Sequence, residues 1–212
     1  MMKRVLFQGD SITDACRARD AADWVRALGN GYPAYCAGRL LFDHPGKYEF
    51  INRAVSGNTI EDVLARFDED ILAVKPDMMS VQIGINDVWH RVETPEQIDA
   101  ARFERLYDEL LEKTVAAFPK IRLMLLGAFV TKTAYTSERW DVFSREVPKC
   151  AEAAKRLAAK YHAVYVPLQE VFDEAVRRQP EPYWTFEGVH PLEAGRELIA
   201  REYVKAFESM NI

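Results

Sequence analysis

"KRVLFQGDSITD" (residues 3–14) joins a short apolar run to a turn in which one serine stands between two acids. Residues 3–8 have the pattern of a buried strand, whereas glycine, aspartate and serine are residue types that end strands and form tight turns. Taken alone, residues 9–11 are more often a plain turn than the site of a nucleophile. The rest of the sequence has to decide between these two interpretations.

Four further apolar runs follow along the chain, and longer amphipathic segments separate them. The runs predict strands over 48–55, 78–84, 121–129 and 163–168. Helices are predicted over 59–74, 94–118, 138–161 and 192–208. The second of them starts at Thr94 and Pro95, with Gln97 placed for a capping box, and Pro148 is expected to break the third. Mostly apolar strands that alternate with helices indicate a parallel sheet covered on both faces, a three-layer α/β/α sandwich. Because no linker or repeat interrupts the pattern, we expect residues 1–212 to form a single domain.

Composition and charge exclude several classes of function. The chain has 212 residues, 49% of them apolar and 29% charged, and a net charge of −5 without a run of Lys or Arg. This argues against nucleic acid as a partner, and no apolar stretch is long enough to span a membrane. Cys16, Cys36 and Cys150 are odd in number and widely spaced, and the opening apolar run is too short for a signal peptide. These features predict a cytoplasmic protein with reduced thiols.

Polar groups follow the predicted strands at the points where the strands end. Residues 9–11 follow the first strand, 56–58 the second and 84–87 the third, while 186–191 precede the last helix. Ligands of open α/β sheets bind outside the carboxyl ends of the strands. We therefore expect a serine, small glycines, an asparagine and a histidine to meet at one edge of the sheet.

These residue types fit nucleophilic catalysis. A serine hydroxyl needs a base to remove its proton, and histidine is the usual base, so Ser11 and His190 form the candidate pair. Glu187, three residues before His190, is the local candidate for the carboxylate that orients the imidazole. The backbone N–H groups of Ser11 and Gly57 and the side-chain amide of Asn86 would supply an oxyanion hole.

Four short blocks occur in order along the chain: "GDSITD" (9–14), "SGNT" (56–59), "GINDVW" (84–89) and "EGVHP" (187–191). Together they resemble the signature blocks of the SGNH or GDSL-type hydrolases. The resemblance implies a flavodoxin-like, five-stranded parallel sheet and ester hydrolysis without a cofactor. It also implies Ser11 as nucleophile, Ser11, Gly57 and Asn86 as oxyanion donors, and His190 as base. The family has an aspartate where this chain has Glu187.

More narrowly, the Arg-containing stretch at 17–19 and the stretch "ALGNGYPAY" (27–35) resemble the intracellular acetylxylan-esterase-like branch. We therefore predict a serine esterase that removes acetyl groups from a carbohydrate such as a xylo-oligosaccharide, and that forms a homo-oligomer. Asp10 is counted among the substrate-binding candidates, although the resemblance suggests that it braces the nucleophile loop. Trp89, Tyr183 and Trp184 could stack on a sugar ring or belong to the core.

Other interpretations stay open. A general arylesterase, thioesterase or lysophospholipase would use the same residues. A catalytically silent carbohydrate-binding protein would keep the fold, with Glu187 as the mark of lost activity. A metal site at Asp10 and Asp14 is not expected, because no His or carboxylate cluster with metal-ligand spacing accompanies them.

Overall fold

The computed structural model of the chain describes residues 2–20, 23–210 and 212. Five parallel strands form one sheet in the order β2-β1-β3-β4-β5. The strands are β1 (Lys3–Gly9), β2 (Tyr48–Asn52), β3 (Met78–Gln82), β4 (Arg122–Leu126) and β5 (Val164–Val166). The predicted parallel sheet is therefore confirmed, and its strand order is that of the flavodoxin-like folds.

Strand β1 lies at the point where the strand order reverses. Val5 pairs with Phe50 of β2 on one side and with Met78 of β3 on the other. The chain leaves β1 for β2 in one direction and returns to β3 in the opposite direction, which opens a crevice at the carboxyl ends of β1 and β3. The turn after Gly9 enters this crevice.

Nine α-helices connect and flank the strands in the described part of the chain. They are α1 (Ser11–Asp14), α2 (Tyr32–Asp43), α3 (Ile60–Ala65), α4 (Ile85–Trp89), α5 (Ala100–Ala117), α6 (Tyr135–Glu138), α7 (Trp140–Lys160), α8 (Leu168–Val176) and α9 (Glu193–Ser209). Short 3₁₀ turns occur at Trp24–Arg26, Pro95–Gln97 and Glu181–Tyr183, and a π-helical turn at Asp68–Leu72.

The longer helices form two groups that cover the sheet. Helices α2 and α9 pack together, and α5 packs against both α3 and α7. The central strand β3 is fully buried, β1 and β4 are buried apart from their first residues, and the edge strands β2 and β5 are partly exposed. The core continues into the apolar sides of these helices. Within the described ranges, none of the helices is both long and apolar enough to cross a membrane.

Two predicted helix features are wrong. Thr94 and Pro95 begin only a 3₁₀ turn, and α5 starts at Ala100 because the Asp99 carboxylate accepts a hydrogen bond from the Arg102 N–H at 2.8 Å. Pro148 does not break α7. Buried residues on both sides of the proline, Val147 and Cys150 among them, keep the helix packed although one backbone hydrogen bond is lost.

Candidate active site

Ser11 stands at the sharp exit from β1. It is the first residue of α1, a single turn whose N-cap is Asp10. The Asp10 carboxylate accepts a hydrogen bond from the Ile12 N–H at 3.0 Å. A first-turn N–H has no partner within its own helix, so the Ser11 N–H stays free of the α1 ladder. The sequence after β1 therefore presents both a hydroxyl and a backbone donor in the crevice.

The loop before α9 brings an imidazole to this hydroxyl. Ser11 Oγ lies 2.7 Å from His190 Nε2. On the other side of the ring, His190 Nδ1 is hydrogen-bonded to Glu187 Oε1, which also accepts the His190 backbone N–H at 3.2 Å. The structure thus brings the three residues together as hydroxyl, imidazole and carboxylate in a row.

Three buried or nearly buried threonines hold this loop, and the sequence analysis did not find them. The Thr131 N–H donates to Gly188 O at 2.8 Å, and the Thr136 N–H donates to Glu187 O at 3.3 Å. The Thr131 and Thr185 hydroxyls lie 2.6 Å apart. We call Thr131, Thr136 and Thr185 the threonine cluster; it fixes the backbone that carries the carboxylate and the imidazole.

Gly188 shows how closely the loop fits this cluster. Its φ of +101° lies in the region that favours glycine, and a Cβ there would stand 2.0 Å from Thr136 Oγ1. Any side chain at this position would therefore displace the segment between Glu187 and His190.

Gly57 and Asn86 occupy the loops after β2 and β3. Gly57 has a φ of +84°, and no atom would obstruct a Cβ within 4 Å. Glycine is therefore required here by its backbone conformation rather than by packing. The Asn86 side chain is nearly buried, and its Nδ2 donates to Asn58 O at 3.0 Å, which leaves its second amide hydrogen available.

Asp14 links the turn after β1 to the loop after β2, a role that was not predicted from the sequence. Its carboxylate accepts hydrogen bonds at 2.8 Å from both the N–H and the hydroxyl of Ser56, and Arg19 binds both of its oxygens. Burial alone would raise the pKa of Asp14, but these hydrogen bonds outweigh it and lower the pKa. Asp14 is thus a charged group that holds the wall of the crevice.

The candidate base has a raised pKa. The hydrogen bond that His190 donates to Glu187 raises the pKa of His190 above its ordinary value, against the opposing effect of burial. Two other carboxyl groups of the site lie in buried positions. Burial raises the pKa of Asp10 to about 7, and it does the same for Asp87, whose carboxylate accepts the Ile60 N–H at 3.3 Å.

The structure supports the bracing role of Asp10 rather than contact with substrate. Asp10 is 0% exposed and uses its carboxylate to cap α1, so it braces the turn that carries Ser11. Trp184 has the second of the two roles that were left open for it. Its side chain is 6% exposed and its Nε1–H donates to Gln179 O at 2.9 Å, which places it in the core.

The other two aromatic candidates differ from each other. Trp89 is half-buried, stacks on Tyr135 with ring centroids 4.8 Å apart, and lies 6.3 Å from the His190 ring. Tyr183 is 53% exposed and lines a groove with Arg178 and other residues, separate from the cavity at Ser11. Trp89 is therefore the aromatic candidate that the structure places beside the reacting groups.

A cavity of about 250 Å³ opens beside the Ser11 hydroxyl. Its wall contains Ser11, Ile12, Ala15, Cys16, Asn30, Gly31, Ser56, His190, Pro191 and Arg196. Among residues 2–20, 23–210 and 212, no group of three His, Cys, Asp or Glu side chains is placed to hold a metal ion. The expectation that no cofactor is needed stays a prediction.

Comparisons with known proteins agree with this geometry. A sequence model of the GDSL-like lipase/acylhydrolase family matches residues 7–198. An acetylxylan esterase of Geobacillus stearothermophilus is 31% identical over 207 residues, which cover 96% of this chain and 93% of that protein. Its crystal structure superposes with a TM-score of 0.84 over 96% of this chain and 93% of that chain at 30% identity.

A second solved structure is similar over nearly the whole length. It is described as a GDSL-like lipase from Parabacteroides merdae, and it is 30% identical to this chain. The TM-score is 0.90, and the superposition covers 98% of each chain. Both structures share the layered parallel sheet described above.

Proposed function

The chain belongs to the GDSL-like lipase/acylhydrolase family and is a carboxylic ester hydrolase, and from this premise we propose that it removes acetyl groups from xylo-oligosaccharides through a covalent intermediate on Ser11. The observation that carries the proposal is the row of hydrogen bonds from Ser11 through His190 to Glu187. Hydroxyl, imidazole and carboxylate in this order are what an activated serine requires.

The first half of the reaction forms the acyl-enzyme. His190 Nε2 accepts the Ser11 proton while Oγ attacks the acetyl carbonyl carbon, and the carbonyl electron pair moves to oxygen. When the tetrahedral intermediate collapses, the bond to the alcohol oxygen breaks and His190 gives its proton to that oxygen. In the second half a water molecule repeats these steps, and acetate leaves.

Glu187 has an orienting role in this scheme. Its hydrogen bond to Nδ1 keeps the proton on that nitrogen, so that Nε2 is free to accept the serine proton. Its negative charge also stabilises the imidazolium that forms in each half-reaction. The raised pKa of His190 has the same cause.

The developing oxyanion is stabilised by three donors from three loops. They are the N–H groups of Ser11 and Gly57 and the remaining amide hydrogen of Asn86. The bond from Asn86 to Asn58 O holds the third loop against the second, and Asp14 holds the second against the first. These bonds keep the donors in place before the charge forms.

The Geobacillus relative supports these assignments. Structures of that enzyme include variants described as catalytic mutants, in which a serine, an aspartate or a histidine was replaced by alanine. Its aspartate and histidine stand three positions apart, as Glu187 and His190 do. The relative therefore supports Glu187 in the place of an aspartate that is one methylene shorter.

The substrate class rests on the same relative and on one aromatic ring. That enzyme is described as an acetylxylan esterase and as an acetyl-xylooligosaccharide esterase. Trp89, beside His190, offers a ring that could pack on a sugar. The predicted homo-oligomer and cytoplasmic location stay predictions.

A panel of esters tests the proposal directly. Acetate release from acetylated xylo-oligosaccharides is measured beside turnover of 4-nitrophenyl acetate, 4-nitrophenyl butyrate and a long-chain ester. We expect the acetylated oligosaccharides to give a higher kcat/KM than acetylated glucose. Equal rates on all acetates would favour a general arylesterase, a preference for long chains a lysophospholipase, and binding without release a silent carbohydrate-binding protein.

The pH dependence follows from the raised pKa of His190. Neutral imidazole is the active form, so kcat/KM for 4-nitrophenyl acetate should be low in acid and rise with pH. Because Glu187 raises the pKa, the midpoint should lie above the ordinary histidine value of about 6.5. The measurement is a pH–rate profile from about pH 5 to 9.

Asp10 supplies the control, because burial raises its pKa to about 7, in the same range. An Asp10→Asn variant keeps an oxygen to cap α1 but cannot titrate. The acid limb should persist in this variant with a small downward shift, since the Asp10 charge favours protonated His190. Loss of the limb in Asp10→Asn would assign it to Asp10 and contradict the prediction.

A further inference from the structure

The cavity beside Ser11 contains a cation that the proposed mechanism does not use. Arg196, on the first turn of α9, lines the same 250 Å³ cavity as Ser11 and His190. Among the described residues that line it, Arg196 and His190 are the ionisable groups apart from the thiol of Cys16. The chain as a whole carries a net charge of −5, so this local charge is opposite in sign to the protein's.

Arg196 keeps hydrogen-bond donors for a ligand. Its Nε–H donates to Pro191 O at 3.0 Å, and its Nη1 lies 3.7 Å from Glu193 Oε1. The Glu193 side chain is 78% exposed, so water weakens that ion pair. A guanidinium has five N–H groups in a planar fork that matches a carboxylate.

The carboxylates that are hydrogen-bonded to the wall residues Ser56 and His190 are already engaged. Asp14 is bound by Arg19, and Glu187 is bound by His190. Burial and the neighbouring charge of Arg19 lower the pKa of Arg17 to about 10, against the effect of Asp14.

The surrounding backbone adds to the field of Arg196. Gly31, a wall residue, is the N-cap of α2, and Pro191 directly precedes Leu192, the N-cap of α9. Helix α2 has neither a side-chain cap hydrogen bond nor an acidic residue in its first turn, so its positive end remains uncompensated, whereas α9 carries Glu193 in its first turn. The end of α2 adds to the preference of the guanidinium for a negative group.

The size of the cavity indicates which part of the ester it receives. An acetyl group has three non-hydrogen atoms, each comparable with a water molecule of roughly 30 Å³. Such a group fills well under half of the 250 Å³. The remaining volume has room for part of the alcohol, which in the proposed reaction is a sugar.

We propose that this cavity binds the alcohol part of the ester and that Arg196 binds a carboxylate on it, so that acetylated saccharides bearing an acidic sugar are preferred over neutral ones. The inference rests on the proposed esterase function and narrows its substrate class. Arg196 is then a specificity-determining residue, and the acidic substituent is of the uronic acid type.

The experiment compares a charged and a neutral ester of similar shape, 4-acetoxybenzoate and 4-acetoxybenzamide. For each, kcat/KM is divided by the ester's own rate of hydrolysis by hydroxide. We expect the anionic ester to be favoured about tenfold, the size of a hydrogen-bonded charge pair, and the preference to shrink in high salt. In Arg196→Gln the ratio should fall to near one, and Arg196→Lys should retain part of it.

Arg201→Gln is the matched control, because Arg201 lies on the same helix, pairs with Glu197 and does not line the cavity. Both kcat/KM values should stay at parent level in this variant. A parent ratio near one, or a ratio unchanged in Arg196→Gln, would overturn the inference. An equal loss on both esters in Arg196→Gln would also overturn it, since Arg196 would then act only by holding Pro191 beside His190.

A different result would contradict the proposed esterase function. A parent enzyme that hydrolyses neither ester would contradict the esterase mechanism itself, whatever the charge of the substrate. If Arg196→Gln does not fold, the parent's salt dependence and the Arg196→Lys ratio still decide the inference. The final comparison uses acetylated xylo-oligosaccharides with and without a glucuronic acid branch, and the acidic form should release acetate faster.

Discussion

Replacing Ser11 with alanine is expected to lower kcat by about 10³–10⁶-fold, because the attacking oxygen is lost while substrate binding and the oxyanion donors remain. The fold should be kept, since the Ser11 side chain is hydrogen-bonded to His190 and α1 is capped by Asp10. The measurements are kcat with 4-nitrophenyl acetate and the midpoint of thermal unfolding.

Ser56→Ala is the matched control for this prediction. Ser56 lines the same cavity, but its hydroxyl is bound to Asp14, so its loss should cost far less activity than that of Ser11. A serine-directed organophosphonate should label Ser11 alone, as read by peptide mass spectrometry. Activity of Ser11→Ala within tenfold of the parent would refute the covalent mechanism.

Replacing Glu187 with glutamine is expected to lower kcat by up to about 10⁴-fold. An amide can donate as well as accept, so the ring can take the tautomer with its proton on Nε2, which cannot then receive the Ser11 proton. The pH–rate profile supplies a second measurement. Without the negative charge the pKa of His190 should fall, and the acid limb should move to lower pH.

Two variants bracket this result. Glu187→Asp should retain partial activity, because the backbone bonds to the threonine cluster still hold the loop and the shorter acid can reach Nδ1 imperfectly. Glu193→Gln should be near parent activity, since Glu193 is an exposed acid on the following helix. A fully active Glu187→Ala would leave a pair of Ser11 and His190 as the working unit.

The sheet could be predicted because each strand is an apolar run bounded by turn residues. The residues at which the strands end could not be predicted. The second strand was predicted to reach residue 55, but β2 ends at Asn52. Beyond that point the backbone N–H groups of Arg53 and Val55 still donate hydrogen bonds to β1. Helices α2 and α8 were not predicted, because α2 begins at Tyr32 after an N-cap of Gly31 and has Pro33 in its first turn, and because α8 follows β5 almost directly.

The candidate site could be predicted as far as parallel topology constrains it. Loops after neighbouring parallel strands must meet at one edge, which brings Ser11, Gly57 and Asn86 to the same crevice. The contacts that hold them are not local in sequence. Thr131 binds Gly188 only because the loop after β4 packs against the loop before α9. Trp89 and Trp184 both lie close to a motif in the sequence, so both are candidates for contact with substrate. Only the packing of the folded chain shows that Trp89 lies near His190 and Trp184 in the core.

The separation of Ser11 from His190 has a consequence during protein synthesis. The two residues are 179 positions apart, which a ribosome covers in roughly 10–35 s at about 5–20 residues per second. In the proposed mechanism the growing chain has no base until its last residues are made. It already contains β1, Ser11 and the loops that carry Gly57 and Asn86. The chain therefore cannot hydrolyse esters by this mechanism until the loop that carries His190 packs beside Ser11. Appearance of hydrolytic activity in a timed translation reaction would therefore mark the closing of the longest-range contact in the site.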